Sequence, residues 1–172
     1  NFILNNDERM IFYCKGVIET VRKLGWAPDI IHCQGWFSSL VPMYIKKLYK
    51  DEPLFENVKI VYSVFDNNEN YHLGNKLTDK LLYEDLLKDD VKNVRDASIN
   101  NLHKFAIDYP DAVVQGTEEI DDSILSHIKS ANKPFMEFPG NEEFIEKYKE
   151  FYNQFLPEEE PVEFQTIDLE ND

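Results

Sequence analysis

The run Lys59-Ile60-Val61-Tyr62-Ser63-Val64-Phe65 decides the fold class. It is a nearly unbroken series of β-branched and aromatic residues, with no glycine or proline. A strand with one wet face alternates apolar and polar residues. One with so little alternation is covered on both faces, as strands of parallel sheets are. Upstream, Asp29-Ile30-Ile31-His32-Cys33 repeats the pattern in short form, and Pro28 sets the chain in extended geometry before it. Downstream, Ala112-Val113-Val114-Gln115 and Phe135-Met136-Glu137-Phe138 read as a third and a fourth strand.

Helical patterns lie between these runs. Asn6 or Asp7 can N-cap the first through a side-chain oxygen, and Gly25 can end it in the left-handed conformation. Its buried stripe is read as Met10, Ile11, Cys14, Val17, Ile18, Val21 and Leu24, at spacings of three and four. A second helix is predicted from about Phe37 to Tyr49, with Pro42 near its first turn, where the missing N–H costs little. Residues 78–88, 96–108 and 118–130 also read as helices, and the polar residues 66–70 as a loop. Asn141 can cap a last helix whose apolar face carries Phe144, Ile145, Tyr148, Phe151, Tyr152 and Phe155. Strand–helix alternation of this kind argues a parallel α/β sheet, doubly wound. Such sheets bind ligands beyond the C-terminal ends of their strands. The informative segments are therefore Gln34-Gly35-Trp36, Asp66-Asn67-Asn68 and Gly116-Thr117-Glu118.

Length and charge narrow the classes further. The chain has 172 residues and a net charge of −15. One domain is the natural reading at roughly 100–200 residues per domain. Aromatic residues make up 13%, which argues against native disorder of the whole chain. Nucleic acid needs a basic stripe and none is visible. No apolar run approaches the ~18–20 residues that span a bilayer. Pro157 to Asp172 holds seven acids and no base, which separates an acidic tail, expected to be disordered, from a body at 1–156. A docking tail for a basic partner is the functional alternative. The first residue is Asn1, so the chain reads as processed, truncated or one piece of a longer polypeptide. Cys14 and Cys33 suggest two buried thiols in a reducing compartment, and with them a cytoplasmic location.

The densest chemical segment is Gly25 to Tyr44. A strand ends in His32 and Gln34, turns at Gly35, presents Trp36 and opens a helix. Backbone N–H groups at the helix start can hold an anion or a sugar hydroxyl. Trp36 can stack on a sugar ring or a base, or can simply pack between helix and sheet. The four histidines, His32, His72, His103 and His127, show no metal-ligand spacing. No metal and no cofactor are expected. Asp66 and Glu118 follow two different strands and are the best carboxylate pair on offer for glycoside chemistry.

This segment resembles the bacterial glycogen and starch synthases, retaining glucosyltransferases that use ADP-glucose. Their stretch Pro-Asp-(Ile/Val)-(Ile/Val)-His-x-His-Asp-Trp-His, followed by a Leu-x-Pro-x-Tyr helix, is matched by Pro28, Asp29, Ile30, Ile31, His32, Trp36, Leu40, Pro42 and Tyr44. Their lysine-led strand ending in Thr-Val-His-Asn resembles Lys59 to Asp66, and their Ala-Asp-x-(Leu/Val)-x-x-Val-Ser strand resembles Pro110 to Thr117. The similarity runs over roughly 7–156 and is strongest at 24–67. The chain looks most like the short, single-domain glycogen synthase-like proteins of Bacteroidetes-type bacteria. The resemblance implies a Rossmann-like domain: one lobe, or part of one lobe, of a two-lobed GT-B glycosyltransferase, incomplete at its N-terminus.

The departures are as informative. The family's second motif histidine is Gln34 here, its aspartate is Gly35, and the histidine after the tryptophan is Phe37. The family's Thr-Val-His-Asn histidine, which lies against the donor glucose, is Phe65, which has no hydrogen-bonding group. The family's Lys-x-Gly-Gly loop and its second lobe are absent from this chain. A leaving diphosphate needs fixed positive groups, and the three strand-end segments carry no Arg/Lys pair. The resemblance therefore implies a glucosyltransferase domain with weak or no activity as a single lobe. The candidate substrate-binding residues are His32, Gln34, Gly35, Trp36, Asp66, Asn67, Thr117 and Glu118, with catalytic residues unassigned. A glucan or a nucleotide-sugar is the expected partner, with a homodimer or a companion lobe covering an open sheet edge. The alternative is a catalytically silent binding or protein-interaction module on the same fold.

Overall fold

The computed structural model describes residues 5–65, 72–74, 76–82, 86 and 88–156. Helices α1 (Asn6–Leu24), α2 (Val41–Lys47), α3 (Leu77–Leu82), α4 (Ile99–Ile107), α5 (Asp122–Ala131) and α6 (Phe144–Asn153) surround a sheet of four strands. These are β1 (Ile30–Gln34), β2 (Lys59–Val64), β3 (Ala112–Gln115) and β4 (Phe135–Met136). All pairings are parallel, in the order β1-β2-β3-β4. Helices cover both faces, as the sequence led one to expect. The order rises without a reversal among the described strands, so the described sheet contains no crevice at a switch in strand order.

Residue alternation along β2 explains the two cores. Ile60, Tyr62 and Val64 face the larger cluster, with Met10, Cys14 and Ile18 of α1, Met43 and Tyr44 of α2, and Leu102 and Phe105 of α4. Val61 faces the other side, where Ala112, Val114 and Phe151 form a small cluster with Ile30, Met136, Tyr148, Tyr152 and Phe155. Among the described residues, helix α6 alone supplies the helical part of that second layer. Both cysteines are free and buried. Burial pushes the Cys14 thiol up to about 12 and the Cys33 thiol up as well, so neither is a thiolate near neutrality.

Several local expectations need correction. Helix α1 follows Asn5 in a left-handed conformation with no side-chain cap. Asp7 instead accepts from the Glu8 N–H and from Lys80 Nζ at 2.6 Å, because the ion pair ties α1 to α3. Val17 and Leu24 lie outside the buried stripe, at 39% and 71% exposure. The predicted helix 37–49 divides into a 3-10 turn, Trp36–Ser38, and α2, with Pro42 in the first turn as expected. Helix α4 spans less than 96–108, because Ser98 caps it by accepting from the Asn101 N–H. Helix α5 starts later than residue 118, since Asp121 accepts from the Ser123 N–H and fixes the start. Strand β4 stops at Met136 rather than residue 138. Asn141 does not cap α6, which Glu143 precedes without a side-chain cap. The helix expected at 78–88 is α3 over its first part, and residues 83–85 and 87 lie outside the described residues.

Two side chains pin the N-terminal ends of the strands. Asp111 accepts from the Ile60 N–H at 2.7 Å and from Lys46 Nζ, which joins the start of β3 to β2 and α2. Lys133 Nζ donates to the carbonyls of Ile107, Asp108 and Pro110 at 2.8–2.9 Å, which closes the C-terminal end of α4. Burial lowers the Lys133 ammonium pKa from its ordinary value. Lys133→Met keeps the stem and strips three carbonyls of their donor. It is expected to cost roughly 2 kcal/mol, read from the urea midpoint at unchanged slope. A wild-type midpoint would refute that role.

Candidate functional site: a cleft at the strand ends

A cleft of about 800 Å³ opens where the C-terminal ends of the strands meet α6. Gln34 ends β1, Phe65 follows β2, Gly116 follows β3, and all three line it. The opposite wall is Phe138 to Asn141 and the face of α6 carrying Phe144, Tyr148 and Tyr152. Lys149 is the one charged residue among the described residues lining it.

Next to the cleft, bonded to Tyr152 of its wall, His32 joins the sheet to the helix. Its Nε2 lies 2.6 Å from Ser63 Oγ, and its Nδ1 lies 2.6 Å from the Tyr152 hydroxyl. The side chain points this way because β1 alternates. Ile31 and Cys33 turn toward the larger core, whereas Ile30 turns, with His32, toward α6. Burial holds the His32 pKa down, to about 4, so the imidazole is neutral at pH 7. A neutral imidazole offers one donor and one acceptor, and the two hydroxyls can supply the complements in either direction. Both ring nitrogens are therefore occupied by protein. As arranged, His32 is a clasp between β1, β2 and α6 rather than a general base. Burial also raises the Tyr152 phenol, to about 12, which keeps it protonated in that clasp.

The other sequence candidates scatter. Gln34 lines the cleft, and its amide sits 3.5 Å from His32 Nδ1, at the limit of a hydrogen bond. Gly35 takes φ +69°, and its N–H donates to the Ser63 carbonyl at 3.0 Å before the chain turns. Trp36 is half-buried against the larger core, edge-on to Phe37, and does not line the cleft. Thr117 and Glu118 belong to a loop closed on itself. Gln115 Nε2 donates to both their carbonyls, and Thr117 Oγ1 donates to Glu119. Asp66 and Asn67 lie outside the described residues. Reading the sequence missed Ser63, Tyr148 and Tyr152. The tyrosines were visible only as part of an apolar helical stripe, which does not say which strand ends they face.

Phe65 has a structural partner that explains Gly116. A Cβ built on Gly116 falls 2.7 Å from two ring carbons of Phe65. The ring that stands where the resemblance expects a histidine thus lies flush against the backbone after β3.

A family model described as starch synthase catalytic domain matches residues 2–131. The chain belongs to the starch synthase catalytic domain family. It is similar to a glycogen synthase of Chlorobium luteolum, 40% identical over 86 residues, covering 50% of this chain and 18% of that protein. A glycogen synthase of Clostridium perfringens is 31% identical over 119 residues, covering 66% of this chain and 24% of the relative. The matched segments thus span about a fifth of those relatives' lengths. The fold is similar to the catalytic domain of starch synthase IV from Arabidopsis thaliana, solved bound to ADP and acarbose. That match has a TM-score of 0.63 at 16% identity and covers 80% of this chain and 30% of the other. Helix α6 lies beyond the residues the family model matches. No helix among the described residues is long and apolar enough to cross a membrane.

Proposed function

We propose that this chain is a carbohydrate-binding part of a glucosyltransferase lobe, cytoplasmic, and that by itself it transfers little or no glucose. The observation that carries this is the composition of the cleft. Its walls are aromatic and amide-bearing, at the strand ends where α/β sheets take ligands, and among the described residues they hold one cation, Lys149. Transfer from a nucleotide-sugar builds negative charge on a leaving diphosphate. Fixed donors or cations must stand around that charge. One lysine on an open helix face is a weak provision for it. A neutral glucan chain asks for apolar faces and hydroxyl partners, which the cleft has.

Among the residues singled out from the sequence, His32 positions α6 and Gln34 faces the ligand in this reading. Gly35, Trp36, Thr117 and Glu118 support the strand-end loops. Titration calorimetry of the isolated chain with maltoheptaose, ADP-glucose and ADP tests the proposal. Heat is expected with maltoheptaose and little with ADP. An elongation assay with ADP-glucose is expected to stay at background. Sustained elongation by the isolated chain would overturn the claim of inactivity. No heat with any of the three would favour a protein-interaction module.

A further inference from the structure

We infer that the α6 wall of the cleft is a pyranose subsite, with the Tyr148 ring as its stacking platform and the Asn141 and Asn153 amides as hydroxyl partners. The inference rests on the carbohydrate reading above and names the residues that carry it. They lie outside the segment that the family model matches.

Three rings form one cluster. His32 and Tyr148 centroids are 5.7 Å apart, His32 and Tyr152 5.8 Å, and Tyr148 and Tyr152 5.7 Å. Their hydroxyls and nitrogens divide the labour. Tyr152 is committed to His32. Tyr148 makes no hydrogen bond to a described residue, is half-buried, and lines the cleft. Its ring packs on the smaller core cluster and lines the cleft, so it is ordered before a ligand arrives. A platform that is already ordered costs a ligand little entropy. The apolar surface around it is exposed, with Phe144 at 47% and Leu156 at 40%.

The polar complement is neutral. Asn141 and Asn153 line the cleft from the two ends of α6, and Gln34 lines it from β1. Amides offer a donor and an acceptor side by side, which suits vicinal hydroxyls. A pyranose ring has an apolar C–H face and a rim of hydroxyls, so it matches both features. The cleft lies within the ~300–1,000 Å³ range of small-ligand sites, with room for more than one ring.

The test uses the full chain and maltoheptaose. Wild type, Tyr148→Ala and Tyr148→Phe are compared by calorimetry, and the His32 imidazole signals are followed by NMR in wild type. Losing a stacked face of ~50 Å² is expected to weaken binding roughly tenfold in Tyr148→Ala. Tyr148→Phe keeps the platform and is expected to bind within about threefold of wild type, since one exposed hydrogen bond contributes little. The His32 signals are expected to shift as the sugar stacks on Tyr148, whose ring centroid lies 5.7 Å from that of His32. Undiminished binding by Tyr148→Ala, or unmoved His32 signals at saturation, overturns this inference and leaves the carbohydrate reading standing. Failure of wild type to bind any glucan overturns both. If Tyr148→Ala does not fold, the His32 shift in wild type and the Tyr148→Phe affinity decide it.

Discussion

Acidification from pH 7 to pH 4 is expected to cost the fold about 3 kcal/mol through His32 alone. The folded protein holds this imidazole neutral down to about pH 4, because the ring is enclosed between β1, Ser63 and the tyrosines of α6. The unfolded chain protonates it near its ordinary value of 6.5. Between those two values the unfolded state binds a proton that the folded state does not. Stability is therefore fully present above about pH 6.5 and falls as pH drops toward 4, by about 1.4 kcal/mol per unit. Carboxylates add their own slope near the bottom of that window. Comparing wild type with His32→Gln removes them from the reckoning. Urea titrations at pH 7, 5.5 and 4.5 are expected to show a steeper loss in wild type. Parallel curves would mean that His32 titrates in the fold as it does in the unfolded chain.

Gly116→Val is expected to destabilise the protein by about 2–3 kcal/mol and to abolish the proposed glucan binding. The backbone of Gly116 is not the obstacle, since its φ is not in the left-handed region. The obstacle is space. A Cβ there meets Cε2 and Cζ of Phe65 at 2.7 Å and Cδ2 at 2.9 Å. The ring would have to swing away, and the cleft it lines is the nearest open volume. A double-mutant cycle isolates this contact. In a Phe65→Ala background the same substitution is expected to cost under about 1 kcal/mol, because the space is vacant. Equal costs in both backgrounds would place the strain elsewhere.

Much of the fold was legible because it is local. The β2 run could only be a strand buried on both faces, and its partners at 30–34 and 112–115 carry the same signature. The aspartate at 111 and the proline at 42 in the family-like motifs prove to be structural. Asp111 holds the Ile60 N–H and Pro42 opens α2, so these motif positions serve the framework. The boundaries that shifted did so where a specific side-chain bond, such as that of Ser98 or Asp121, fixed a helix start that periodicity leaves free.

The site was legible only in part. His32 and Gln34 stood at a strand end, and strand ends are where such sheets bind. Trp36 looked like a sugar platform, yet the Gly35 turn carries it to the larger core. Its place in the cleft wall is taken by Tyr148 and Tyr152, the second of them 120 residues from His32 in sequence. The sequence by itself determined the family, the parallel sheet and the end of it where the cleft opens, because strand burial and turn chemistry act over a few residues. Only the tertiary structure decided that α6 returns over that end, bonds Nδ1 of His32 through Tyr152 and walls the cleft. A contact made by α6 with β1 depends on how the second face of the sheet is covered, and no local pattern records which helix will cover it.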